Sequence, residues 1–143
     1  WTAIKRLRAI GIPVLFITGD PYNEMILSNR NLPTIVNRGE GFHRDKINFL
    51  PQALEEYNCT ADEVVYFGDD LFDYKIMEGV GYAYCVNDSP RSLQDISIPL
   101  HCNGGENAIM YLFEELEDRE LIPTVPAGDV MDKIYELDLK EKF

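Results

Sequence analysis

The chain's 143 residues, 45% of them hydrophobic, are enough for one domain with a sizeable buried core and too apolar for disorder over most of the length. A formal net charge of −12, with no dense patch of Lys or Arg, argues against nucleic acid or an anionic membrane as the main partner. A small phosphorylated molecule stays open, because it needs only local positive charge and a metal.

Helical spacing at Ala3, Ile4, Leu7 and Ile10 opens the chain, with Ile4 through Ala9 an amphipathic helix ending at Gly11. Trp1 is no initiator, so the sequence reads as starting inside a helix with an upstream segment missing. Ile12 to Thr18 is a continuous apolar run with β-branched residues, the pattern of a strand buried on both faces. Gly19-Asp20-Pro21 turns the chain, and Pro21 suits the first turn of a helix through Met25, Ile26 and Leu27. A short strand is expected around Thr34 to Val36, then a polar loop from Asn37 to Arg44 that contains Gly39 and Gly41. Asp45 to Tyr57 resumes helical spacing through Ile47, Leu50 and Leu54, with Pro51 expected to kink it.

Val64 to Phe67 reads as a buried strand, Leu71 to Glu78 as a helix stopped by Gly79, and Tyr82 to Val86 as a further strand. Ser89-Pro90 opens a short helix, and a last strand weakened by Pro99 is expected within Ile96 to Cys102. Glu106 to Glu117 is a helix with Ile109, Leu112, Phe113 and Leu116 on one face. Pro123, Pro126 and Gly128 mark a linker, after which Asp129 is placed to cap a helix striped by Val130, Ile134 and Leu137. The division is a domain over residues 1–118 and a linker with helical tail over 119–143, the tail docking on its own domain or on a partner. Strands alternating with helices at this spacing imply an α/β fold with a parallel sheet and right-handed crossovers. Cys59, Cys85 and Cys102 include no CxxC pair, so they read as reduced thiols of a cytoplasmic protein. No apolar run approaches a membrane span, and the start is no signal peptide.

Three strand ends or nearby loops carry the polar chemistry. Gly68-Asp69-Asp70-Leu71-Phe72-Asp73 crowds three carboxylates behind the run Val64 to Phe67, a charge density that calls for a cation. One Asp suffices to cap the next helix, and three exceed that need. Thr18 with backbone N–H groups at a helix start can hold phosphate oxygens, and Lys46 can neutralise a transferring phosphoryl group. Alone, Thr18 is a strand-end residue bonding locally and Lys46 a solvated helix charge. His43 and His101 are lone histidines and are not taken as ligands. The order Thr, Lys, acidic cluster differs from that of response-regulator receivers, whose acidic pair comes first and Lys last. DDLFD follows a strand here, whereas prenyl-diphosphate enzymes set a DDxxD string inside long helices. No GxGxxG is present for a dinucleotide.

In this order LFITGD, Asp45-Lys46 and VVYFGDDLFD resemble the second, third and fourth motifs of the haloacid dehalogenase superfamily, across the chain to about Glu117. Within it the resemblance is to the capless phosphatases of 3-deoxy-manno-octulosonate 8-phosphate and their nonulosonate 9-phosphate relatives. GVGYAYCVNDSP followed by Gly104-Gly105-Glu106-Asn107-Ala108 is similar to the tail of that group. The resemblance implies a Rossmann-like, three-layer fold with a parallel sheet, its N-terminal strand missing here. It also implies Mg²⁺-dependent hydrolysis of a sugar-acid phosphomonoester through an aspartyl-phosphate. Thr18 would hydrogen-bond the phosphoryl oxygens, with Gly19, Asp20 and Glu106 on the substrate. Lys46 would offset charge, Asp69 would ligate Mg²⁺ with Asp70 supporting the metal site, and Asp73 would organise Lys46 or a metal-bound water. Members of this kind are typically homotetramers, which makes the tail after Pro123 a candidate for intersubunit contact.

Two departures bear on activity and substrate. The family's first motif, DxDGxxT, supplies the nucleophile and the acid/base and is found nowhere in the sequence, so the chain as given is expected to be inactive. Retention of Thr18, Lys46 and all three Asp residues favours truncation over degeneration. Asp20 and Glu106 stand where octulosonate phosphatases tend to carry Arg and where the 9-phosphate relatives often carry acids, which leans toward a nine-carbon sugar acid. Met110 weighs the other way, standing where that second group usually keeps an Arg. The alternative is a non-catalytic oligomerisation or regulatory domain, as at the C-terminus of acylneuraminate cytidylyltransferases, or a plain binding module of the same fold.

Overall fold

A computed structural model describes residues 1–39 and 42–142, without the side chains of residues 42 and 43, so Gly41 and the His43 imidazole lie outside the described residues. Contacts divide the chain into two compact units, residues 1–43 with 113–143 and residues 44–112.

The first unit begins with α1 (Thr2–Ala9), which turns Ile4 and Leu7 inward. β1 (Phe16–Thr18) leads through α2 (Pro21–Asn29) to β2 (Thr34–Val36), and the two strands pair in parallel with Phe16 opposite Thr34 and Thr18 opposite Val36. Asp20 caps α2 by accepting the Tyr22 N–H at 2.9 Å, and Pro21 occupies the first turn, where no N–H is needed. The apolar run predicts a strand from Ile12, yet the ladder covers three residues. Its partner starts only after Pro33, which has no N–H and contributes its carbonyl to the Phe16 N–H at 3.0 Å. Phe16, Ile17 and Thr18 are half-buried rather than buried, since two strands alone leave each with an edge among the described residues. β3 (Arg38–Gly39) and β4 (Phe42–His43) pair antiparallel where the sequence predicts a polar loop.

The second unit starts on a 3-10 turn, Lys46–Phe49, whose N-cap Asp45 accepts the Ile47 N–H at 3.3 Å, and continues as α3 (Leu50–Tyr57). Pro51 sits in the first turn of α3, so it begins this helix instead of kinking a longer one. Asn58, at φ 49°, ends it in the left-handed conformation. Next come β5 (Val65–Phe67), a 3-10 turn over Leu71–Asp73, α4 (Tyr74–Glu78), β6 (Tyr82–Cys85), α5 (Arg91–Gln94) and β7 (Ile98–Pro99). The strands form one parallel sheet in the order β5-β6-β7. Pro99 ends the edge strand, where its missing N–H is tolerated. Central β6 carries Tyr84 and Cys85, both 0% exposed, whereas β5, first in this three-stranded order among the described residues, is half-buried where the sequence predicts burial. Met77, Ala83, Cys85 and Leu93 form a core cluster, with Tyr66, Tyr74, Val80 and Ile96 packed against it. A side chain at Gly81 would run into the Asp62 backbone, so the entry to β6 needs glycine.

The unit boundary falls within α6 (Ala108–Asp118), whose Leu112, Phe113 and Leu116 are buried. α7 (Ala127–Asp138) follows Pro126 as N-cap. Asp129 therefore lies in its first turn, where it complements the helix dipole instead of capping. α7 buries Val130, Ile134 and Leu137 and packs on α1, so the tail docks on its own chain. The Lys5 ammonium donates to Asp138 at 2.7 Å and lies 3.1 Å from Glu141, which Arg30 meets from the other side at 3.3 Å. Burial alone would lower the Lys5 pKa, but the Asp138 and Glu141 carboxylates outweigh it and hold it above the ordinary 10.5. Lys5→Met is expected to cost about 1–3 kcal/mol, the Arg30 pair and the exposure of Asp138 limiting the loss. A raised lysine pKa gives stability that is complete below the unfolded value and lost as pH climbs through the folded one. The wild-type advantage over Lys5→Met, read from urea midpoints, should therefore hold from pH 7 to 10 and shrink above that. A gap that stays constant to pH 12 would contradict it. Among the described residues no helix is long and apolar enough to cross a membrane.

Candidate functional site

Four donors converge on Asp73, which is 3% exposed. Its Oδ1 accepts from the Lys46 ammonium at 2.7 Å and from the Tyr66 hydroxyl at 2.7 Å. Its Oδ2 accepts the backbone N–H groups of Asp69 and Asp70, each at 3.1 Å. This geometry has a local cause. Gly68 ends β5 without a side chain, and a Cβ there would lie 2.7 Å from Asp73 Cβ and 2.8 Å from its Cγ. Glycine thus lets the carboxylate fold back under its own loop. Asp70 and Asp73 form a reciprocal capping box, with Asp70 Oδ1 accepting the Leu71 N–H at 2.6 Å. The cap accounts for Asp70, and the Lys46 pair accounts for Asp73.

Asp69 and Asp70 are both exposed, and Asp69 is the carboxylate of the three with no part in the cap or the Lys46 pair. Partial burial of its carboxyl, then the charges of Asp73 and Asp70, push its pKa up. Lys46 and its own N–H oppose that. A carboxylate destabilised by like charge at the mouth of a loop matches the donor chemistry of a divalent cation. Among the described residues no three His, Cys, Asp or Glu side chains gather as a metal cluster. Mg²⁺ does not demand one, since one or two carboxylates with waters and a substrate phosphate suffice. The residues present fit the ion on that basis.

Lys46 reaches Asp73 from the 3-10 turn, and its side chain is 15% exposed. Lys75 of α4 lies 3.6 Å from Asp45, an exposed pair of little energetic weight. Glu106 sits in the loop before α6 and accepts the Asn103 N–H at 3.3 Å, while Asp88 accepts the Gly104 N–H at 2.8 Å in the same loop. Burial, then Glu106 and Asp88, raise the Cys102 thiol, which favours its protonated form. In the first unit the Thr18 hydroxyl accepts the Asp20 N–H at 3.1 Å and the Asn23 amide at 3.3 Å, and among the described residues its own proton is left to donate. Gly19 and the cap Asp20 complete that loop.

Of the residues picked from sequence, Lys46, Asp69, Asp70 and Asp73 meet in one network. Glu106 sits in a separate loop of the same unit, and Thr18, Gly19 and Asp20 belong to the other unit. Tyr66, Asn23 and Asp88 take part in these networks without having been picked. A tyrosine inside an aliphatic strand is the one available signal, since a buried hydroxyl needs a partner.

Residues 42–109 match the family model of haloacid dehalogenase-like hydrolases. The chain is 31% identical over 108 residues to the 3-deoxy-D-manno-octulosonate 8-phosphate phosphatase KdsC of Yersinia pestis, covering 74% of this chain and 56% of that protein. It thus spans little more than half the length of that curated relative. In fold it is similar to the cobalt-bound deoxy-D-mannose-octulosonate 8-phosphate phosphatase YrbI of Haemophilus influenzae, with TM-score 0.72, 19% identity and coverage of 83% of this chain and 67% of that one. A second similar structure is the 3-deoxy-D-manno-octulosonate 8-phosphate phosphatase of Moraxella catarrhalis in complex with magnesium ion, phosphate ion and KDO, at TM-score 0.67, 22% identity and coverage of 81% and 68%. With the parallel β5-β6-β7 sheet and the acidic loop at the end of β5, residues 42–109 form a haloacid dehalogenase-like hydrolase domain, and the chain is similar in sequence to an octulosonate 8-phosphate phosphatase and in fold to two more.

Proposed function

We propose that this domain is the metal- and phosphate-holding part of a Mg²⁺-dependent phosphatase acting on a sugar-acid phosphate of the octulosonate 8-phosphate or nonulosonate 9-phosphate type. The observation that carries the reading is the double use of Asp73, which holds Lys46 through one oxygen and the Asp69–Asp70 backbone through the other. That arrangement fixes a cation and an outward carboxylate next to each other. Asp69, supported by Asp70, would hold Mg²⁺, which when bound supplies positive charge to the phosphate. Lys46 would place its ammonium on the phosphoryl group while staying tied to Asp73. Thr18 would donate its spare proton to a phosphate oxygen. On this reading the attacking carboxylate would come from a DxDGxxT segment, a motif that these 143 residues do not contain. On the resemblance alone, Asp20 and Glu106 favour the nine-carbon acid and Met110 weighs against it. The reading carries with it a cytoplasmic, homotetrameric enzyme.

The test is phosphate release from both sugar acids by the protein expressed from its complete coding sequence. Hydrolysis that EDTA abolishes and Mg²⁺ restores is expected, with the 9-phosphate preferred. A folded protein that releases no phosphate from either would sink the enzyme reading and favour a non-catalytic domain.

A further inference from the structure

The four donors on Asp73 are divided two to each oxygen, which fills the roughly four acceptor sites of a carboxylate. Three of those donors have an evident part in the loop or in the proposed chemistry, and the fourth, Tyr66, has none. We infer that Tyr66 is a positioning residue of this site, its hydroxyl setting the direction of the Asp73 carboxylate and through it the Lys46 ammonium and the Asp69 backbone. The inference rests on the phosphatase reading for its kinetic consequence and on geometry alone for the rest.

The two donors on Oδ1 are unlike. Lys46 brings an ammonium with three rotatable donors on a flexible stem, which follows the carboxylate and does not orient it. Tyr66 brings a hydroxyl at the end of a rigid ring, and that ring packs against the core of Met77, Ala83, Cys85 and Leu93. A fixed donor at 2.7 Å therefore decides where Oδ1 points. Oδ2 is then aimed at the two N–H groups from which Asp69 projects. Burial and the Asp73 charge raise the Tyr66 hydroxyl far above the ordinary tyrosine range, so it remains a donor. With both oxygens filled, Asp73 has no acceptor to offer a metal, which leaves that role to its neighbours. Phenylalanine would serve as well if the ring only filled space.

Tyr66→Phe in the protein expressed from its complete coding sequence tests this, read by Mn²⁺ titration through water-proton relaxation and by Mg²⁺-supported phosphate release. The expected result is a folded protein with Mn²⁺ affinity about 10-fold weaker and kcat about 10–100-fold lower at nearly unchanged KM. p-Aminophenylalanine at the same position restores a donor on the ring and should bring kcat back to within about threefold of wild type. A Tyr66→Phe protein that melts earlier but matches wild type in kcat and Mn²⁺ affinity would overturn the inference, as would a wild type that binds no Mn²⁺. If the wild type binds Mn²⁺ but hydrolyses nothing, the phosphatase reading falls. The Mn²⁺ affinities alone then decide for or against Tyr66.

Discussion

Asp73→Ala is expected to destabilise the protein by about 3–5 kcal/mol, the range for breaking a buried ion pair by removing one partner. The substitution removes the acceptor of four donors at once. Lys46 keeps its charge in a site where its side chain is 15% exposed, the partly buried Tyr66 hydroxyl loses its acceptor, and two loop N–H groups lose their bonds. Each orphaned neutral group adds a desolvation penalty of about 1–3 kcal/mol unless water enters, so the lower bound holds even if Lys46 swings out to solvent. A domain at the lower end of ordinary stability, about 5 kcal/mol, would be left with little margin, and one at the upper end, about 15 kcal/mol, would survive comfortably. Urea unfolding at neutral pH checks it. Asp73→Asn, which keeps the shape and an acceptor oxygen, should lose less. A loss under about 1 kcal/mol for the alanine variant would show that the network does not hold the loop.

Asp69→Asn is expected to do the opposite to stability and more to activity. Its carboxyl is held above the usual range by burial and by the charges of Asp73 and Asp70, and no ion pair within the loop depends on it. A carboxyl with a raised folded pKa stabilises the fold below its unfolded pKa, and that contribution is gone once pH has risen through the folded value. At neutral pH without metal the amide is therefore no worse than the carboxylate, and the urea midpoint should stay level or rise. Phosphate release should fall at least about 100-fold, because a direct ligand is lost where even outer partners of a metal site are worth 10–100-fold. A stable, inactive variant is the signature of a residue kept for its chemistry, and a variant that loses both together would speak for a structural role.

The succession of elements was legible because apolar periodicity alternates cleanly between runs such as Val64–Phe67 and stripes such as Leu112, Phe113 and Leu116. Their extents were not, since a strand is as long as its partner allows. Pro33 cuts the β1 ladder to three residues, although the apolar run has seven. Pro51 and Asp129 sit elsewhere in their helices than the sequence predicts, for a related reason. A proline or an acid near a helix start fits several positions of the first turn, and only backbone geometry selects among them. For the site, the charge excess of GDDLFD was readable from composition, and the cap that explains Asp70 was among its plain readings. The pairing of Lys46 with Asp73 spans 27 residues and no local rule yields it. It came from the resemblance to a family. Tyr66 escaped because a strand tyrosine looks like core until its hydroxyl is located.

The central claim, that the acidic loop after β5 is the metal side of a phosphatase site, is tested most directly by titrating Mn²⁺ into wild type and Asp69→Asn and following water-proton relaxation with and without inorganic phosphate. Saturable binding by the wild type, tightened by phosphate and abolished in a folded Asp69→Asn, is the predicted result. Equal binding by the two proteins, or none by the wild type, would contradict it.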